Sequence, residues 1–372
     1  MSYLYLLGFA AALALAFILT PLVKTFAIKV NAVDRPNHRK VHTRIMPRLG
    51  GLAIFAAFAG TYLLLSPWLH LDNRNMNLIH GLLAGGTIIV IIGALDDRFE
   101  LSAKVKLLGQ IAAACVLVFG FGIKVNFYNV PFGDPMMPIQ DWISIPLTIF
   151  WVVGVTNAIN LIDGLDGLAA GVSGIATATI LVLALFMTNG GTVILLSCML
   201  LGSIIGFLFF NFHPAKIFMG DSGSLFLGFS LATLSIMGFK QATLVSFIIP
   251  LFIIGVPLSD TFFAIVRRWV NNKPIFAPDK GHLHHCLQQL GFSHRKTVLV
   301  IYGVAAFFGA TAVVLSQVSQ VANWITVLVI AVTIIVLQLG AEVIGIVDRT
   351  RRPLISALQR LRMKAETETR TK

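Results

Sequence analysis

Five short stretches carry the residue types that do phosphoryl or metal chemistry. The first is the adjacent pair Asp96 and Asp97 in GALDDRFELSAKVK. Neighbouring carboxylates repel unless a proton or cation lies between them, so the pair can bind Mg²⁺, act as a base, or simply cap a solvated helix end. In NAINLIDGLDGLAAG, Asp163 and Asp166 stand beside Gly164 and Gly167, which allow tight turns and close approach to a ligand. In NFHPAKIFMGDSGS, Asp221 precedes Ser222, Gly223 and Ser224 at a helix start, where backbone N–H groups favour phosphate oxygens and a carboxylate could hold the neutralising metal; a plain N-cap is the alternative.

The fourth stretch, APDKGHLHHCLQQLGFSHRK, holds His282, His284 and His285 beside Lys280. Paired cysteines or HExxH spacing are missing, so the imidazoles suit a diphosphate better than a soft metal, a solvated loop being the alternative. The fifth, VDRPNHRKVHTRIMPRLGG, is strongly basic, and Lys40 and Arg48 are its candidates for receiving an anionic substrate. Asp260, in PLSDTFFAIVRR, either lines a lipid groove or satisfies helix contacts. No GxSxG, P-loop or Rossmann fingerprint occurs, which disfavours serine hydrolysis and ATP-driven transport.

The elements that must position these groups are membrane helices. The 372 residues are 57% hydrophobic and only 12% charged, with a mean hydropathy of +0.86. No water-soluble fold, disordered chain or nucleic-acid-binding domain has that composition. Runs of about 20 apolar residues, the length that crosses a bilayer, predict an all-α polytopic membrane protein with eleven spans, near 3–23, 49–67, 78–95, 107–122, 143–159, 167–187, 192–210, 223–239, 243–265, 297–316 and 322–346. The first lacks a preceding basic residue and is expected to remain as an uncleaved helix. Residues 123–142 read as a small extracellular hairpin, and 349–372 as a basic cytoplasmic tail on anionic lipid, outside a 1–348 membrane domain. Cys115, Cys198 and Cys286 read as packing residues.

Charge orients the bundle. All of the 28 Lys and Arg except Arg74, Lys124 and Lys240 follow odd-numbered spans, which puts the N-terminus outside and the tail in the cytoplasm. The same count places the five stretches, in the segments 24–48, 96–106, 160–166, 211–222 and 266–296, on the cytoplasmic side without using any motif. The net charge of +12 is thus chiefly a matter of topology.

In this order the motifs DD, NLIDGLDGL, FMGDSGS and HLHH resemble the polyprenyl-phosphate N-acetylhexosamine-1-phosphate transferase family, over about residues 20–300. RKVHTRIMPRLGGLAIF, TNAINLIDGLDGLAAG and NFHPAKIFMGD are similar to its GlcNAc-1-phosphate branch, in particular the enzymes that initiate teichoic acid synthesis in Gram-positive bacteria. The resemblance implies attack of undecaprenyl phosphate on UDP-GlcNAc with release of UMP, at the cytoplasmic face of a bacterial plasma (inner) membrane. It implies Mg²⁺, with Mn²⁺ as a substitute, held by Asp221. Asn160, Asp163, Asp166 and Asn211 match nucleotide-site residues, Asp96 and Asp97 the pair that supplies a base, and the three histidines the group facing the diphosphate. Lys104 stands for the lysine after the Asp pair, because Glu100 occupies its place in the DDxxK pattern of the peptidoglycan enzyme. The partners expected are UDP-GlcNAc, undecaprenyl phosphate and anionic lipids, without nucleic acid, and a homodimer is compatible. The competing readings are the muramoyl-pentapeptide branch, a secondary transporter and a lipid-diphosphate phosphatase. A transporter should place polar residues near mid-membrane in paired halves, and a phosphatase needs no nucleotide site.

Overall fold

The structure, a computed structural model, describes residues 2–34, 45–69, 71–125, 127–128, 137–187, 190–238, 245–270, 281–317, 331–333, 335–340 and 342. Lys40, the 349–372 tail and most of the span expected at 322–346 lie outside them. The chain forms helices α1 (Ser2–Lys29), α2 (Gly50–Leu65), α3 (Asn73–Phe99), α4 (Ala103–Cys115), α5 (Asp141–Leu161), α6 (Leu168–Leu185), α7 (Gly191–Asn211), α8 (Gly220–Gly238), α9 (Val245–Ile253), α10 (Gly255–Val270), α11 (Leu283–Gln289) and α12 (His294–Ser316). Two short antiparallel pairs accompany them: β1 (Val33–Asp34) with β2 (Met46–Pro47), and β3 (Phe127–Tyr128) with β4 (Met137–Pro138). The β3–β4 pair forms the hairpin expected within 123–142.

Among the described residues, eight helices are long and apolar enough to cross a membrane. The protein is a multi-pass, all-α membrane protein. Two expected spans turn out differently. The run at 243–265 is two helices, α9 and α10, with Ile254 between them and Pro257 in the first turn of α10. Pro lacks a backbone donor, a loss without cost in the first turn of a helix, where that donor has no partner in the helix, so Pro257 suits a new start there. The Gly- and Ser-rich run near 223–239 is the core of the bundle, because α8 is buried along nearly its whole described length.

Small residues let neighbouring backbones close on α8. A Cβ on Gly51 would lie 2.0 Å from the Gly223 nitrogen, and one on Gly93 2.5 Å from the Ser222 Cα. The buried hydroxyls of Ser224 and Thr233 return hydrogen bonds to the Gly220 and Phe229 carbonyls of the same helix, which satisfies those two donors in an apolar interior. Residues 47–51 of the chain meet the segment before α8 through backbone bonds from Phe218 to Pro47, Gly50 to Phe218 and Gly51 to Met219. The start of α8 is thereby fixed against α2 and α3, and with it the carboxylate of Asp221.

Candidate active site

The ends of α3, α5 and α7 and the starts of α4, α6 and α8 converge, bringing the aspartates of three distant motifs together. Asp97 is the most constrained. Its side chain is wholly buried, its Oδ1 accepts the Asp221 N–H at 2.8 Å, and its Oδ2 accepts the Ser222 N–H at 3.1 Å and the Ser222 hydroxyl at 2.8 Å. A carboxylate from α3 thus caps α8 across space, satisfying backbone donors that have no partner within their own helix. The expectation that the α8 start is open to phosphate oxygens is corrected by this contact, since its first N–H groups are occupied. Gly220, at φ +72°, makes the approach feasible, for a Cβ there would sit 2.4 Å from Asp97 Oδ2.

Asp96, one residue earlier, faces the other way. Lys106 Nζ lies 3.2 Å from Asp96 Oδ2 and 2.8 Å from Asp221 Oδ2, so one ammonium bridges the two carboxyls. Asn160 also bonds Asp221 and donates to Ser224 Oγ at 2.8 Å. Arg48 approaches Asp97 Oδ1 at 3.8 Å and senses the charges of Asp34, Asp221 and Asp163. Asp163, in the turn between α5 and α6, looks into this same group. Burial first, then the negative charges of Asp221 and Asp97, pushes its carboxyl up to about 8. The cluster is therefore short of positive charge, and carboxylate oxygens are the donors that hard divalent cations such as Mg²⁺ take.

Asn211 and Asp166 tie neighbouring segments together. Asn211 is buried; its Oδ1 accepts from the Gly167 N–H and its Nδ2 donates to the Ile217 carbonyl, tying the turn after α5 to the segment before α8. Asp166 Oδ2 binds His213 Nδ1 at 2.8 Å and the Ala215 N–H at 3.1 Å. His294 joins them, and the ligand atoms of Asp166, His213 and His294 all lie within 4.8 Å. The two imidazoles stack at 4.2 Å with planes only 24° apart. Near-parallel rings aim their lone pairs alongside rather than at one point, so this is a hydrogen-bonded tie and a poor metal centre.

The histidines stand on α11. Asp260 caps that helix, accepting the Leu283 N–H at 2.8 Å and bonding His282 Nδ1 at 2.9 Å. Of the two roles open to Asp260, helix contact is the one observed. His284 is buried against the turn after α5, where a Cβ on Gly164 would fall 2.4 Å from its Nε2. Burial, reinforced by His285, pushes His284 down to about 3, so it is neutral at physiological pH. A neutral imidazole there can give a hydrogen bond but not a positive charge.

Lys106, rather than Lys104, is the lysine that reaches the carboxylates. On α4, Lys104 is exposed. Lys106 shares a face with buried Gly109, Gln110, Ala113, Ala114 and Leu117, a spacing of three and four residues that marks the buried side of a helix. That face was available in the sequence as a signal and points to Lys106. Ser222 and His294 were also missed; nothing short of the fold brings them to Asp97 and Asp166.

Comparison with known proteins places these residues in context. The sequence model of "Glycosyl transferase family 4" matches residues 79–239. The chain is 48% identical over 358 residues to a "Probable undecaprenyl-phosphate N-acetylglucosaminyl 1-phosphate transferase" of Bacillus subtilis, covering 95% of this chain and 96% of that protein. It is 39% identical to the "Decaprenyl-phosphate N-acetylglucosaminephosphotransferase" of Mycobacterium tuberculosis, over 83% of this chain and 82% of that protein. The identity to the "Undecaprenyl-phosphate alpha-N-acetylglucosaminyl 1-phosphate transferase" of Escherichia coli is 30%, over 80% of each.

Proposed function

The chain belongs to glycosyl transferase family 4, and from that premise we propose that it transfers GlcNAc-1-phosphate from UDP-GlcNAc to undecaprenyl phosphate. A phosphate oxygen of the lipid attacks the sugar-proximal phosphorus, the bond to the bridging oxygen breaks, and UMP leaves with that oxygen, giving undecaprenyl-diphosphate-GlcNAc. The observation that carries this reading is the group formed by Asp96, Asp163, Asp221 and Lys106, which the fold assembles from three motifs at the meeting point of six helix ends.

In this reading Asp221, with Asp96 beside it, would hold Mg²⁺. The ion, when bound, would withdraw charge from the diphosphate. Asp96 is the member of the pair that takes the proton from the lipid phosphate, because both oxygens of Asp97 are committed to α8. Lys106 and Arg48 supply fixed positive charge to an anionic substrate, and neutral His284 a hydrogen bond. Eleven spans with the N-terminus outside, read from the distribution of Lys and Arg, put the cluster at the cytoplasmic face of the inner membrane. There a cytosolic nucleotide sugar and a lipid confined to the bilayer can meet. The product would start a teichoic-acid-like surface polymer.

Purified protein given UDP-GlcNAc, undecaprenyl phosphate and Mg²⁺ is expected to release UMP and to form a chelator-sensitive lipid product. UDP-muramoyl-pentapeptide in place of UDP-GlcNAc is expected to release none. Turnover of the pentapeptide donor alone would move the protein to the peptidoglycan branch, and turnover of neither would overturn the reading.

A further inference from the structure

We propose that Gln110 is a positioning residue of the site: its reciprocal amide pairing with Asn157 fixes the rotation of α4 and so holds Lys106 between Asp96 and Asp221. The inference rests on the proposed reaction for its activity readout and on geometry for everything else.

Gln110 is nearly inaccessible, at 2% exposure, in a helix whose outward face is apolar, with Leu108 at 66%. A buried primary amide carries two donors and a carbonyl acceptor, all costly to leave unmet in an apolar bundle. Gln110 meets one matching amide. Asn157 Nδ2 donates to Gln110 Oε1 at 2.6 Å, and Gln110 Nε2 donates back to Asn157 Oδ1 at 3.3 Å. Asn157 is itself tethered, since its Nδ2 also donates to the Val153 carbonyl one turn earlier in α5. The pair therefore connects α4 to a rigid reference.

Position explains why that connection matters. Gln110 lies one helical turn after Lys106 on the same face of α4, about 6 Å along the axis. Asn157 lies three residues before Asn160 on α5, and Asn160 bonds Asp221. The amide pair and the Lys106 contacts are consecutive rungs between α4 and the elements that carry the carboxylates. The next contact on this face is steric: Gly109 meets α3 so closely that a Cβ would lie 1.9 Å from Ile92 Cδ1. Gly109 thus sets how near α4 comes, while the directional amide pair sets how far it is turned. A small rotation at Gln110 would swing the long Lys106 side chain away from its two partners.

The test compares Gln110→Met, unbranched and of similar length, with the wild-type chain in two measurements. In the first, UMP release is followed in the wild type, Gln110→Met, Lys106→Ala and the double variant. Gln110→Met is expected to lower kcat roughly 10-fold with KM for UDP-GlcNAc within 2-fold, and to cost nothing further in the Lys106→Ala background, because its effect passes through Lys106. An unchanged kcat, or an equal loss in both backgrounds, overturns the proposal. The exchange Gln110→Asn with Asn157→Gln, which can rebuild the pair, is expected to recover activity relative to Gln110→Asn alone.

The second measurement needs no substrate, so the inference stands or falls even if wild-type protein turns over no UDP-GlcNAc, a result that would sink only the proposed reaction. Acylation of lysines by a water-soluble amine reagent is read by mass spectrometry, with exposed Lys104 as the internal standard. Lys106 labelling relative to Lys104 is expected to rise several-fold in Gln110→Met, and an unchanged ratio overturns the proposal. Should Gln110→Met fail to purify as a folded species, Gln110→Asn replaces it in the labelling experiment with the same expected rise and the same disproof.

Discussion

The starts of α8 and α11 are both capped by an aspartate from another helix, Asp97 in one case and Asp260 in the other. Around α8 everything is closed: Asp97 is wholly buried, Gly51 and Gly93 bring neighbouring backbones onto the first turn, and the helix runs through the core. Around α11 the frame is smaller, for the helix spans only Leu283–Gln289 and packs through Leu287 on the core and through His284 on the turn after α5. The difference separates two kinds of carboxylate that look alike as sequence. Those used as caps build the frame. Asp96, Asp163 and Asp221 cap no helix among the described residues, and in the proposed reaction they are the ones left for chemistry.

Asp221 tests that division most severely. Its backbone N–H belongs to the α8 cap, but its side chain does not, so Asp221→Ala should leave the frame standing. UMP release is expected to fall at least ~10³-fold, about 4 kcal/mol in the barrier, with elution and thermal midpoint in detergent unchanged. A large fall in thermal midpoint would show that frame and chemistry are not separable there.

Replacing the adjacent aspartates one at a time sharpens the comparison. Asp96→Ala is expected to slow turnover ~10²- to 10³-fold, the usual share of a proton-transferring group, and to leave stability intact. Asp97→Ala should instead destabilise the protein by about 3 kcal/mol, because it strips a buried carboxylate from two backbone donors and a hydroxyl. Thermal denaturation and initial rates on the same preparations read both effects. Equal losses of stability in the two variants would erase the distinction.

Asp163 should make the uncapped group visible through pH. Its carboxyl, raised from 3.8 to about 8, binds a proton more tightly in the folded than in the unfolded chain. Its contribution to stability is therefore complete below about pH 4 and is lost as pH rises towards 8. In chelator, the wild-type thermal midpoint is expected to fall from pH 5 to pH 8 more than that of Asp163→Asn, and Mg²⁺ is expected to narrow the gap. Parallel curves for the two proteins in chelator would mean that Asp163 stays ionised.

Much of this organisation was readable before the fold was known, and the failures have a common cause. Membrane character followed from composition, the carboxylate motifs from their residue types, and the 123–142 hairpin from its turn residues. What could not be read was the direction of each side chain. Asp96 and Asp97 are neighbours in the chain, yet one residue of helix turns the side chain by about 100°, so the arrival of α8 against α3 decides which becomes a cap. The same rotation separates Lys104 from Lys106, although there the small and buried positions that follow Lys106 at intervals of three and four did hold the answer. The Gly and Ser content of α8 blurs the limits of that span in the sequence, because hydropathy scores lipid exposure, whereas this helix is enclosed by protein. Asp260 read as an intramembrane carboxylate of open purpose because its partner helix, α11, is too short to announce its own start.

Asp260→Asn gives the smallest expected effect and bears on the weaker of the two caps. The amide keeps an oxygen for the Leu283 N–H but loses charge, and its NH2 can pair with His282 Nδ1 only when that nitrogen is the acceptor. A lost or weakened N-cap costs about 1 kcal/mol, so the global thermal midpoint should move by only a few degrees. Local order should change more, since the lost contact lies at the first residue of α11: hydrogen exchange at the backbone amides of 283–289 is expected to accelerate, while those of 220–226 stay as in the wild type. If His284 is delivered to the substrate by α11, KM for UDP-GlcNAc should rise several-fold with kcat little altered. Acceleration spreading into α8 would join the two regions into one cooperative unit and show that α11 is part of the frame after all.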